Sequence, residues 1–175
     1  ATASDGVDDA RALVVDAVAL ILAVPAPSGV GALHTPLLGA RAGFVWPGRA
    51  RGPLALVLGV DGALLAGGFA AGTSAVRADR AAVVGLARGT AGARFGGSFF
   101  SLTPFASLAA NAHLAGTLVR VDSSLAFRPL ASAGAHAGFG LALTLGALAM
   151  TVESGIGVQG LGPSTTGAVS VGWRF

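Results

Sequence analysis

Several stretches of this chain repeat every second residue, and that period decides what they fold into. From 54 to 64, Leu54, Leu56, Leu58, Val60 and Leu64 alternate with Ala55, Val57, Gly59, Asp61 and Ala63. From 102 to 114, Leu102, Ala106, Leu108, Ala110, Ala112 and Leu114 stand opposite Thr103, Ser107, Asn111 and His113. From 148 to 158, Leu148, Met150, Val152, Ile156 and Val158 alternate with Ala149, Thr151, Glu153, Gly155 and Gly157. Successive side chains of a strand point to opposite faces, so each run has one apolar face and one small or polar face. Each is roughly 10 residues long or a little more, the length a tilted strand needs to cross a bilayer.

Composition sharpens the question of solvent. Only 11% of the residues are charged, against roughly 25% in ordinary globular domains. Hydrophobic residues make up 53%. Two architectures span a membrane, helices and closed barrels. A helical reading has one serious candidate, residues 129–152, which carry no formal charge; residues 12–24 are short for a span and hold Asp16. A helical span does not place Glu, Asp, Asn and Thr on every second position, so strands are favoured.

The pattern predicts eight strands, at about 10–24, 36–46, 53–65, 81–95, 99–114, 129–140, 146–158 and 167–175. The first and sixth are the weakest, because both of their faces are mostly apolar or small. Connections 47–52, 96–98 and 141–145 are short, whereas 25–35, 66–80, 115–128 and 159–166 are longer. Short turns at one end and longer loops at the other are what an up-and-down barrel shows, and an even strand number puts both termini at the short-turn end. Phe44 and Trp46 end the second predicted strand, Phe95 ends the fourth, and Phe99 and Phe100 begin the fifth. Phe139 ends the sixth, and Trp173 and Phe175 end the eighth. All eight fall at the short-turn end, as expected of an interfacial aromatic girdle.

These features resemble the small bacterial outer-membrane β-barrel proteins of the eight-stranded type. The sharpest element is the final strand, Val169, Val171, Trp173 and Phe175, alternating and closing on an aromatic. The resemblance implies an all-β, antiparallel up-and-down transmembrane β-barrel in the bacterial outer membrane. The barrel would run over residues 10–175, with 1–9 as an N-terminal arm. It implies that the terminal strand is the signal read by the barrel assembly machinery, and that outer-membrane lipids surround the wall. A homo-oligomer or a larger envelope complex remains open. The chain departs from familiar members in having no Tyr. Its start, ATASDGVDD, shows no signal-peptide pattern, which fits a leader already removed, a fragment or a cytoplasmic protein alike.

The face opposite the lipid should carry Arg41, Asp61, Arg88, Arg94, Ser107, Asn111, His113, Ser132, His136, Thr151, Glu153, Ser170 and Arg174, with Asp16 a less certain member. An eight-stranded barrel is barely wide enough for its own side chains, so these residues are expected to form a satisfied ion network. A catalytic alternative would use His113 or His136 as base with Glu153 or Asp61 orienting it. Residues 137–139, which follow His136, hold no Ser, and Ser132 lies four residues before it, ~13 Å along a strand. Three His at unrelated positions and no Cys give no metal-ligand spacing. The net charge of +3 without Arg–aromatic clusters speaks against nucleic acid. The expected role is non-catalytic and without cofactor: a membrane anchor, a structural envelope component, or a narrow gated path for small solutes. Alternatives are a subunit of a larger outer-membrane assembly, a lipid-modifying enzyme, or a polytopic helical inner-membrane protein.

Overall fold

The computed structural model describes residues 11–25, 32–51, 54–72, 76–97, 99–121, 124–160 and 162–175. The predicted arm, 1–9, lies outside them. The described chain forms β1 (Ala12–Pro25), β2 (Ala32–Arg51), β3 (Leu54–Gly72), β4 (Val76–Gly96), β5 (Phe100–Val121), β6 (Ser124–Leu145), β7 (Leu148–Gln159) and β8 (Gly162–Arg174). Each strand pairs antiparallel with the next, and β8 returns to β1, so the eight strands make one closed barrel. The helical alternative is overturned: residues 129–145 belong to β6 and 148–152 to β7.

Register fixes the shape of the barrel. Stepping across the ladders from Leu13 leads through Phe44, Val60, Gly89, Leu108, Ala137, Ile156 and Thr165 back to β1 at Ala23, ten residues further on. With eight strands, a stagger of that size tilts the strands by roughly 40° and sets a backbone radius of about 8 Å. Such a barrel is filled by its own side chains. Among the described residues the outer surface is mostly apolar, with Leu38, Leu64, Leu108 and Ile156 all at least 66% exposed.

All the strands except β1 and β7 are longer than the sequence pattern indicates. The β3–β4 ladder continues to Gly72 opposite Arg77, and the β5–β6 ladder to Val121 opposite Ser124. The expected long loops 66–80 and 115–128 are therefore mostly hairpin arms, and every connection except that between β1 and β2 is two or three residues long. Small residues on both faces hide the period there, while backbone groups still gain by pairing across the ladder. Strand β6 also runs through Leu145, so the expected connection 141–145 is strand. The turn comes at Gly146, whose positive φ of 58° suits a residue without Cβ. In the same way β8 begins at Gly162 rather than 167, after Gly160 with φ 62°. Strand β2 passes Pro47, which has no N–H to donate, and its register shifts between Pro47 and Ala50.

Closure depends on a tight seam between β1 and β8. The last residue contributes directly: the Phe175 N–H donates to the Leu13 carbonyl at 2.8 Å, and the Leu13 N–H donates to the Phe175 carbonyl at 3.0 Å. Three residues back, a Cβ on Gly172 would overlap the Val15 carbonyl oxygen and the Asp16 backbone and carboxylate. Gly172→Ala should therefore lower barrel stability by about 1–3 kcal/mol, the usual cost of overpacking. Gly167→Ala, where an added Cβ meets nothing within 4 Å, is the control. Urea unfolding in detergent reads both, and equal midpoints for the two variants would contradict the seam as described.

Candidate functional site

The inward faces bring polar groups from strands distant in sequence into one lumen. Asp16 and Arg41 are direct partners on β1 and β2, as are Asp61 and Arg88 on β3 and β4. Arg41 Nε donates to Asp16 Oδ2 at 3.0 Å, and its Nη2 also contacts that oxygen. The same Nη2 donates to Ser170 Oγ at 2.7 Å and Thr151 Oγ1 at 3.3 Å. Arg88 Nε and Nη2 donate to Asp61 Oδ2 at 3.0 and 2.7 Å. Its Nη1 reaches across the lumen to Glu153 on β7, whose other oxygen accepts from Ser107. Phe105 turns inward, with the Arg88 guanidinium 5.7 Å from its ring centre.

Arg88 thus ties opposite walls together. Its side chain is 8% exposed, and those of Asp61 and Glu153 are 12% and 14% exposed. Groups so shielded from water need their partners, because an uncompensated buried charge costs far more than a surface one.

Farther along β5 to β8, away from the termini, lies a second polar cluster. His136 Nε2 is 2.8 Å from Ser164 Oγ, and its Nδ1 is 3.2 Å from Asn111 Nδ2. His113 Nδ1 lies 3.4 Å from Ser132 Oγ, which accepts from Gln159 Nε2 at 2.9 Å. Facing this cluster is an apolar one: Val18, Leu20 and Leu22 of β1 with Leu37, Leu65 and Val84. The weak alternation of β1 has its reason here, since one apolar face fills the lumen and the other faces outward.

Ser164, His136 and Asn111 stand in the order of nucleophile, base and orienting amide. Ser132, the Ser weighed on the sequence, pairs with the other His instead. Sequence reasoning missed Ser164 because it fell in a predicted loop, and its approach to His136 depends on the β6–β7–β8 register. All three are at most 9% exposed. The adjoining cavity of about 50 Å³, lined by Asn111 and His136, has room for water but not for an acyl chain. The arrangement is that of a buried hydrogen-bonded packing cluster. No group of three His, Cys, Asp or Glu suited to a metal occurs among the described residues.

Arg94 and Arg174 also point inward but depart from the expected ion network. They line a cavity at the end carrying the termini, and no carboxylate pairs with either among the described residues.

On the outer face, Phe44, Phe95, Phe99, Phe100, Phe139, Trp173 and Phe175 are exposed. Trp46 is half-buried, its ring centre 6.3 Å from that of Phe44. Phe139 is a correction. It lies six residues before the end of β6, opposite Ala106 and Ser154, and does not end its strand; nor do Phe44 and Trp46, because β2 continues past them to Arg51. Val169 and Val171 share the outward face of β8 with the final two aromatics.

Replacing Arg88 by Met should cost about 3–5 kcal/mol in unfolding free energy, since Asp61 and Glu153 would lose their shared cation. Adding Asp61→Asn and Glu153→Gln should restore part of that loss. Urea titration in detergent measures both, and an unchanged midpoint for Arg88→Met would contradict a cross-lumen tie.

No protein-family model and no curated protein matches the chain. Solved structures do. Ail, the attachment invasion locus protein of Yersinia pestis, in complex with the heparin analogue sucrose octasulfate, aligns at TM-score 0.53 and 14% identity, over 94% of this chain and 97% of that one. Ail in a second crystal structure aligns at TM-score 0.50 and 12% identity with the same coverage. Neisserial surface protein A aligns at 0.51 and 14%, again over 94% and 97%. These are small bacterial outer-membrane barrels. At such identities the likeness is one of fold, and the fold is the closed eight-stranded antiparallel β-barrel.

Proposed function

We propose that this chain is an integral protein of the bacterial outer membrane with a non-catalytic role, a plugged barrel that anchors its hairpins in the envelope. The observation that carries this reading is the inside-out distribution of side chains. Ion pairs and hydrogen-bonded hydroxyls fill the lumen, while Leu, Val, Ile and Phe cover the outside. A closed barrel leaves no strand edge unpaired, which is what an apolar solvent demands. The length of β3 to β6, 19 to 22 residues each, exceeds the ~9–11 residues needed to span the bilayer. Their excess would project from the membrane at the end away from the termini. The Arg88–Glu153 tie and the apolar cluster favour a closed lumen over a gated path for solutes.

Two measurements test this. In cells, the chain should fractionate with the outer membrane, resist extraction by alkaline carbonate and migrate as a heat-modifiable band. Recovery from the soluble fraction would contradict the reading. In planar bilayers it should show no conductance steps, and discrete openings would favour the solute path instead.

The ring of Phe175 would serve the barrel assembly machinery, separately from the two backbone hydrogen bonds that its residue makes. Phe175→Ala keeps those bonds and removes the ring. It should refold in detergent about as well as wild type, yet reach the membrane in cells at several-fold lower yield. Equal yield in cells would contradict a role for the ring in assembly.

A further inference from the structure

The cavity beside Arg94 and Arg174 has a composition that its surroundings do not explain. It measures about 120 Å³ and is lined by four guanidinium groups, of Arg41, Arg88, Arg94 and Arg174, against the carboxylates of Asp16 and Asp61. Arg41 and Arg88 are held by Asp16, Asp61 and Glu153. The remaining two cations line the same cavity from near the ends of β4 and β8, so their like charges oppose each other across it. Arg94 Nε is buried and has no hydrogen-bond partner. A buried N–H left unpaired beside a second cation is costly twice over, through lost hydrogen bonding and through like-charge repulsion.

We infer that this end of the lumen is a binding site for a small oxyanion of the phosphate class, gripped between Arg94 and Arg174. A tetrahedral oxyanion accepts from both guanidinium forks at once and cancels their repulsion, and such charge-assisted bonds are the strong ones. Thr90, Thr103 and Thr144 line the same space and supply further hydroxyl donors. The volume admits a phosphate with a few waters. The ceiling limits where the anion sits. Asp16 Oδ1 has no partner and lines the cavity, so it repels an anion toward the Arg94–Arg174 end. That end carries both termini and lies at the last residues of the wall, where a ligand can enter without passing the Arg88 tie. The site is independent of the anchoring role proposed above. It would take free phosphate or the phosphomonoester headgroup of a small metabolite or lipid by the same contacts.

The test uses the refolded barrel in a maltoside detergent, which contributes no phosphate, at low salt. Inorganic phosphate is titrated while the ¹⁵N–¹H resonance of Arg94 Nε is followed, with calorimetry in parallel. Wild type should show a saturable shift of that resonance. Arg94→Gln and Arg174→Gln should each weaken binding about ten-fold or more, whereas Arg11→Gln at the exposed Arg11 leaves it unchanged. Without phosphate, both lumen variants should have an equal or higher urea midpoint than wild type, because each relieves repulsion. A merely structural role would lower it. Glycerol 1-phosphate as a second titrant separates the sources: binding tighter than that of inorganic phosphate points to a headgroup, and weaker binding to the free ion. No saturable shift up to about 50 mM phosphate, equal affinity in both variants, or loss of stability in them would overturn the proposal, while a heat-modifiable band in the same sample shows the barrel itself intact.

Discussion

A sheet with an apolar outer face tolerates no open edge, and the rest of this molecule follows from closing one. Closure happens where β8 returns to β1, with Phe175 and Leu13 exchanging two backbone hydrogen bonds and Gly172 admitting the β1 backbone at close range. The ten-residue stagger that closure imposes tilts every strand and narrows the lumen until side chains fill it. It also determines which inward residues meet. Arg88 finds Asp61 on its neighbouring strand and Glu153 on the far wall only in that register.

The filled lumen is not uniform. Toward the opposite end, an apolar cluster from β1 to β5 packs against hydrogen-bonded His, Ser, Asn and Gln of β5 to β8. The ion pairs follow, and the end with the termini carries two guanidinium groups that no carboxylate among the described residues pairs. Burial makes the middle layer a tie rather than a route, since its two guanidinium groups and three carboxylates are paired within hydrogen-bonding distance. The two guanidinium groups at the end have no such internal explanation. The layering therefore separates what holds the barrel together from what remains available to a ligand.

Much of the wall was legible because a strand's period is two and the two solvents differ sharply. Leu64 and Leu65 show both the reach and the limit of that logic. Leu64 continues the outward row, whereas Leu65 is fully buried inside the lumen, so an apolar residue does not always mark the lipid side. The ends of the strands were hidden by small residues such as Ala66, Gly67, Gly68, Ala70, Ala71 and Gly72, where both faces look alike. Phe139 ended a predicted strand only because the run of Leu after it resembled a connection. Ser164 beside His136, and Arg94 beside Arg174, are products of register and barrel radius, which no single segment encodes.

The central claim is that the outer face of the barrel lies in lipid. The chain contains no Cys, so single cysteines at Leu58, Val60, Leu64 and Ala66 on the outward row of β3 can each carry a nitroxide. With the protein reconstituted in bilayers, collision with dissolved oxygen and with a water-soluble nickel complex is read by electron paramagnetic resonance. A lipid-facing wall predicts strong relaxation by oxygen and weak relaxation by nickel at all four positions, deepest at the middle of the row. Ready access of the nickel complex along the whole row would contradict the account.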